Sequence, residues 1–129
     1  MRLPFVEHVG AEIADVRDGA SLLTLVIAPL HLNSSGVVHG GVLFTLADTG
    51  MGAALFSALA RGERCATVEA KINYFRPVRG GTLQCRSRIV NRGRTLASLE
   101  AVLSVDDNAV ATAHATFAII AADGAAPGG

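Results

Sequence analysis

The sequence predicts an α+β domain: one long central helix wrapped by an antiparallel sheet of five to six strands. Three observations predict it. Between Gly40 and Ala60, apolar side chains cover most of a helical circumference, so this helix should be buried rather than amphipathic. Downstream, apolar and polar residues alternate with a period of two, the signature of half-buried strands. The apolar rows of those strands are rich in alanine, which leaves room for a helix to lie close against the sheet.

Residues 1–7 read as a short lead-in. Residues 9–17 and 21–28 read as two strands around the turn Asp18-Gly19. Pro29 to Gly36 is a loop. The helix opens at Gly40 and is ended by Arg61-Gly62. It carries Val42, Leu43, Phe44, Leu46, Ala47, Met51, Ala53, Ala54, Leu55, Phe56 and Leu59. Gly50 and Gly52 each cost about 1 kcal/mol relative to alanine inside a helix. Close passage of another backbone explains them, most simply the partner helix of a dimer. Val68, Ala70, Ile72 and Tyr74 then alternate with Thr67, Glu69, Lys71 and Asn73. Leu83, Cys85 and Ile89 form a second row, and Ala97, Leu99, Ala101, Leu103 and Val105 a third. Ala109, Ala111, Ala113, Ala115, Phe117 and Ile119 form the last. Hairpin turns fit Asn91-Arg92-Gly93 and Asp106-Asp107-Asn108. The tail from Ala121 to Gly129 should fray.

A chain of 129 residues is one domain with a sizeable core, here aliphatic because there is no Trp and one Tyr. Eleven basic and eleven acidic residues cancel, which argues against a general nucleic-acid binder. Cys65 and Cys85 make neither a metal-ligand spacing nor a disulfide framework, so a reduced, cytoplasmic setting is expected. Met1 to Gly10 lacks the basic start and apolar run of a signal peptide. No uninterrupted apolar stretch reaches eighteen residues, so no membrane span is expected. No His, Cys and carboxylate set has metal spacing, and neither metal nor cofactor is expected.

The chemistry concentrates around the helix. A carboxylate in an apolar helix is costly unless something uses it, and Asp48 is such a carboxylate. His39-Gly40-Gly41 opens the same helix, and its backbone N–H groups are free to face a ligand oxygen. Glycine allows the close approach that a side chain would block. An acid or base beside an electrophilic oxygen-binding site is the result. His31 and His114 read as structural or surface groups.

The stretch Asn33-Ser34-Ser35-Gly36-Val37-Val38-His39-Gly40-Gly41, continuing through Leu46-Ala47-Asp48, resembles the hotdog-fold thioesterases, specifically their PaaI-like, phenylacetate-degradation branch. Thr67-Val68-Glu69 through Asn73-Tyr74-Phe75-Arg76-Pro77 is a second match, and Arg92-Gly93-Arg94-Thr95-Leu96 a third. The likeness covers about residues 5–120. It implies an acyl-CoA thioesterase that works as a homo-oligomer built from dimers, with CoA entering only as part of the substrate. A related branch carries Glu where this chain has Asp48.

On that resemblance the Gly40 N–H, helped by Gly41, polarises the thioester carbonyl. Asp48 attacks directly or takes a proton from water, and the sequence does not separate these routes. Asn33 would orient the water or the leaving thiolate. His39 reads as a loop-fixing hydrogen bonder rather than a general acid. Thr67 would help to place water, yet strict alternation puts it on the face away from the helix. Either the strand is bulged there or that face meets a partner. Tyr74, Arg76, Arg79, Arg92, Gly93 and Arg94 are expected along the CoA path, since arginine suits phosphate. The strand between the two arginine pairs is ~30 Å long, so one subunit cannot bring both to one pyrophosphate. A hotdog hydratase or dehydratase, or a non-enzymatic acyl-CoA-binding protein, are the other readings. The seven lead-in residues encode no DNA-binding segment of the kind such regulators carry. Phe44 and Phe56 suit aryl or medium aliphatic acyl groups alike.

Overall fold

In a computed structural model, which describes residues 2–121, the chain begins with a helix rather than a lead-in. Helix α1 spans Pro4–Val9, with Pro4 in its first turn and Gly10 ending it at φ +95°. Proline at the start and a left-handed glycine just past the end are the usual boundaries of a short helix. The first strand consequently begins later than residue 9. Strand β1 covers Glu12–Arg17 and β2 Ala20–Val26, joined by Asp18 and Gly19, both at positive φ. A single 3-10 turn, Pro29–His31, leads into the loop before helix α2, Gly40–Phe56. Strands β3 (Arg64–Tyr74), β4 (Thr82–Arg92), β5 (Leu96–Val105) and β6 (Asn108–Ile120) complete the fold. The expected tail beyond Ala121 lies outside the described residues.

All six strands form one antiparallel sheet in the order β1-β2-β4-β5-β6-β3, with α2 lying across its inner face. This is the α+β hotdog arrangement. The buried inner rows are Leu83 and Cys85; Ala97, Leu99, Ala101 and Leu103; Ala111, Ala113, Ala115, Phe117 and Ile119, as alternation predicts, whereas Ile89, Val105 and Ala109 are only half-buried and Val110 is buried beside a register shift between Leu103 and Ser104. Leu43, Leu46, Met51, Ala54 and Leu55 of α2 close the core against them. Each fully buried leucine or methionine contributes ~1.5–3 kcal/mol.

Helix α2 departs from expectation in three ways. It stops at Phe56 rather than Ala60, because Ser57 Oγ bonds Ala54 O and the next N–H groups bond back three residues instead of four. Nor is it buried all round. Gly41, Phe44 and Phe56 are exposed and Asp48, Thr49, Gly52 and Ala53 half-buried, so the sheet covers this side only in part, with Phe56 52% exposed. Finally, Gly50 is explained within the chain and not by a partner helix. A Cβ there would lie 2.6 Å from Ser87 Oγ, and Ser21 Oγ donates to Gly50 O at 2.6 Å. Gly52 has no such constraint: its nearest neighbour would be Phe117 at an ordinary 3.5 Å.

His31 is buried. Its Nδ1 accepts from Ala28 N–H at 2.9 Å, so Nε2 carries the hydrogen and donates to Val9 O at 2.6 Å. It ties the end of α1 to the loop before α2.

Gly50→Ala is expected to lower stability by about 1–2 kcal/mol in urea titration. Overpacking costs ~1–3 kcal/mol and outweighs the ~1 kcal/mol of helix propensity gained. Adding Ser87→Ala should recover most of the loss. A Gly50→Ala variant as stable as the parent would contradict this seating of the helix.

Candidate active site

The loop before α2 is held by its own residues. Asn33 Oδ1 accepts from the N–H groups of Ser35 (2.9 Å) and Val37 (3.2 Å), and Asn33 N–H donates to Val37 O at 2.7 Å. His39 N–H donates to His31 O, and Val38 N–H to Val78 O. Asn33 thus shapes the loop through its carbonyl and keeps its amide nitrogen for another partner. His39 caps the helix: its Nδ1 accepts from Gly41 N–H at 2.8 Å. That bond corrects the role expected of Gly41, whose N–H is engaged inside the protein. The Gly40 N–H has no acceptor among the described residues.

Tyr74, expected along the CoA path, holds Gly40. Its hydroxyl donates to Gly40 O at 2.9 Å, and its ring and hydroxyl lie 3.1–3.4 Å from where a Cβ on residue 40 would sit. A side chain there would have to push the ring back by a few tenths of an ångström and so disturb its bond to Gly40 O. Partial burial raises the phenol's pKa, so it stays protonated and donating at neutral pH. Two consecutive glycines are the most flexible start a helix can have. His39 on one side and Tyr74 on the other restore the rigidity that a directed N–H needs.

Asp48 is half-buried on the open face of α2, not enclosed as expected. Its Oδ1 accepts from Thr67 Oγ1 at 2.8 Å. The conflict over Thr67 is resolved by a bulge: Thr67 pairs with Phe117 and Glu69 with Thr116, leaving Val68 as the extra residue. The bulge moves Cys65 and Thr67 onto the helix-facing side with Ala70 and Ile72, and turns Val68 outward. A cavity of about 470 Å³ lies here between α2 and the sheet. Asp48 and Thr67 sit at its rim, and Gly52, Phe56 and Phe117 line it.

Gly40 faces a different, smaller hollow of about 220 Å³, shared with Leu43, Tyr74 and Arg76. One chain thus keeps the Gly40 N–H and the Asp48 carboxylate in separate hollows. A third hollow, about 560 Å³, lies among Arg17, Arg86, Arg88 and Glu100 and shares no lining residue with either.

The arginines divide. Arg92 donates to Ala58 O at 3.1 Å and pairs with Glu63 at 3.2 Å, tying the chain just beyond α2 to the end of β4. Its guanidinium is engaged by these two partners. Gly93 is the turn glycine, its N–H on Leu96 O. Arg76, Arg79 and Arg94 make no ion pair among the described residues. Burial raises the thiol pKa of Cys65 and pushes that of Cys85 up to about 11, so neither is an activated nucleophile at neutral pH. Among the described residues no three His, Cys, Asp or Glu side chains group as metal ligands, and no helix is long and apolar enough to cross a membrane. Sequence reasoning missed Gly52 and Phe117 as cavity walls; a glycine one helical turn beyond Asp48 was the available signal.

Residues 35–112, more than half of the chain, match the Thioesterase superfamily. The chain belongs to that family. Among curated proteins it is 28% identical to the acyl-coenzyme A thioesterase PaaI of Escherichia coli, over 67% of this chain and 60% of that one. Among solved structures it is similar to thioesterase HI1161 of Haemophilus influenzae, at 26% identity and a TM-score of 0.85, covering 90% of this chain and 82% of that one. The conserved protein PA5202 of Pseudomonas aeruginosa superposes with a TM-score of 0.90 at 36% identity, covering 93% and 96% of the two chains. The chain is a thioester hydrolase.

In this thioesterase, Tyr74→Phe should lower the thermal midpoint by only a few degrees, the cost of one part-exposed hydrogen bond of ~1 kcal/mol, and lower kcat by about 5-fold through loosening of the Gly40 peptide. Stopped assays and a thermal melt on the same preparation check this; unchanged kcat would free Tyr74 of the positioning role. Arg92→Ala should do the reverse, lowering stability by ~1 kcal/mol while leaving KM for an acyl-CoA within about twofold. A large rise in KM at unchanged stability would return Arg92 to the CoA path.

Proposed function

We propose that the chain is an acyl-CoA thioesterase whose active site is completed by two copies of it, in the cytoplasm. The observation that carries this reading is the separation of Gly40 from Asp48. Eight residues of one helix hold them about 12 Å apart, in different hollows. A reacting carbonyl needs its oxygen donor and its attacking group both within ~3–3.5 Å. A two-fold axis beside the open faces of two α2 helices brings Gly40 of one chain to Asp48 of the other. The partly covered face of α2, together with the exposed Val68, Tyr74 and Phe75 on or just beyond edge strand β3, supports an obligate homodimer. Two such dimers then associate into a tetramer.

In the reaction, the Gly40 N–H at the helix start stabilises the oxyanion, a contribution of several kcal/mol when well placed. Thr67 fixes one oxygen of Asp48 and leaves the other to act. That oxygen either removes a proton from water, which then attacks, or attacks itself to give a mixed anhydride that water cleaves. In both, the C–S bond breaks, a C–O bond forms, and the CoA thiolate receives the proton. The amide nitrogen of Asn33, which the loop leaves unused, would orient water or thiolate. Arg76, Arg79 and Arg94 remain for the phosphates. No metal or cofactor takes part in this reading.

Asp48→Asn should fold and bind substrate but lose most of kcat, at least ~100-fold, because charge and proton acceptance go while shape stays. Near-parental turnover by folded Asp48→Asn would eliminate the assignment. Chelation with EDTA followed by desalting should leave activity unchanged; loss restored by one divalent ion would overturn the metal-free reading. Sedimentation in the assay buffer should find activity with dimers or larger species, and an active monomer would exclude the shared site.

A further inference from the structure

We infer that the cavity beside Asp48 receives the acyl group of the substrate, and that Gly52 keeps it open for an apolar chain of several carbons. The inference rests on the thioesterase reading and names the substrate class for that site. The two glycines in the middle of α2 are not equivalent. Gly50 is required by the chain's own sheet, since a Cβ would lie 2.6 Å from Ser87 Oγ. At Gly52 a Cβ would meet only Phe117, at 3.5 and 3.8 Å, which is ordinary contact. Alanine would fit there and would favour the helix. Packing within the chain therefore does not account for glycine at 52.

Its place in the cavity accounts for the absence of a larger side chain there. Asp48, Gly52 and Phe56 follow one another at four-residue intervals, so they lie on one helical face. All three line the cavity of about 470 Å³. Cys65, Thr67 and Phe117 form the facing wall, on the helix-facing side of the sheet. The polar end is at Asp48 and Thr67, where the reaction occurs. From there the groove runs about 12 Å along the helix to Phe56. Leu3, Val6, Ile13 and Val16 line it as well. Asp48 is the sole charged residue among those that line it. A volume of this size is typical of small-ligand sites. Any side chain longer than alanine at position 52 projects between Asp48 and Phe56, across the path of an extended chain. A short acyl group would end before reaching it. A carboxylate at the far end of the acyl chain would lie among Phe56, Phe117 and the aliphatic side chains with no partner for its charge, so dicarboxylic acyl groups are excluded.

The test compares the parent dimer with Gly52→Ala and Gly52→Leu. Two readouts are used: hydrolysis of acetyl-, hexanoyl- and glutaryl-CoA, and calorimetric binding of the non-hydrolysable thioethers S-methyl- and S-hexyl-CoA. The parent should prefer hexanoyl over both acetyl and glutaryl, and S-hexyl over S-methyl, by at least about tenfold. Gly52→Leu should collapse those ratios to near unity, with Gly52→Ala between, while sedimentation of all three proteins stays the same. Equal losses on every acyl group, an undiminished hexyl preference in Gly52→Leu, or a parental preference for glutaryl would each overturn the inference. So would dissociation of Gly52→Ala, which would mark Gly52 as a helix-contact residue between copies. If the parent hydrolyses none of the thioesters yet binds S-hexyl-CoA in the predicted Gly52-dependent way, the hydrolytic reading fails and the acyl groove stands.

Discussion

Close seating of α2 on β2 and β4 at Gly50 is the constraint on which the rest of the structure depends. With no side chain at that position, Ser21 reaches the helix backbone at 2.6 Å and Ser87 lies directly beneath. Cys85 adds a weaker contact to Leu46 O. These bonds satisfy polar groups that would otherwise be buried at a cost. They also set the rotation of the helix about its axis. Leu46, Met51 and Leu55 point into the sheet, and by helical geometry Asp48, Gly52 and Phe56 point away from its centre. A larger residue at position 50 would lift the helix. It would then alter both the 2.8 Å contact between Asp48 and Thr67 and the width of the groove beyond it.

On the proposed shared-site reading, the same rigidity explains why one chain carries the parts of a site without the assembled site. A helix cannot bend to bring its first turn and its third turn onto one carbonyl. The protein instead prepares each half separately. At the N-terminal half, His39 and Tyr74 hold two otherwise flexible glycines, so that Gly40 presents its N–H in a fixed direction. At the other half, a one-residue bulge turns Thr67 inward to orient a half-exposed carboxylate. Because Asp48 is not enclosed by its own chain, the full desolvation cost of a buried carboxylate is not met on folding. In the proposed dimer, that group would become buried only on association of two copies.

Much of this was legible in the sequence because it rests on local pattern. Period-two rows such as Ala97 to Val105 specify which face of a strand is buried, and one such row excludes its neighbours from the core. The two-residue turns at Asp18-Gly19 and Asp106-Asp107 follow from residues that tolerate positive φ. What was not legible has a tertiary cause. Val68 is apolar and fits its row, so nothing local marks it as the residue to be extruded; only the misplacement of Thr67 hinted at it. Helix α1 is too short for a periodic signal, although Pro4 and Gly10 bracket it. The requirement for glycine at position 50 comes from a serine 37 residues later, and the engagement of Arg92 from a glutamate 29 residues earlier. Helix α2 read as buried all round because its partly covered face, with Phe44, Phe56 and Ala53, is apolar too, as a surface meant for contact would be.

The shared site is the central claim, and mixed assembly tests it most directly. Asp48→Ala retains an intact Gly40 side, whereas an Asn33→Ala/His39→Ala double variant retains an intact Asp48 side. If Gly40 of one chain works with Asp48 of the other, each mixed dimer contains one site with both halves intact. Random exchange of equal amounts makes half of the dimers mixed, with one of their two sites active, so about a quarter of parental activity should return. Mixed dimers verified by mass spectrometry that remain as inactive as either variant alone would contradict the account.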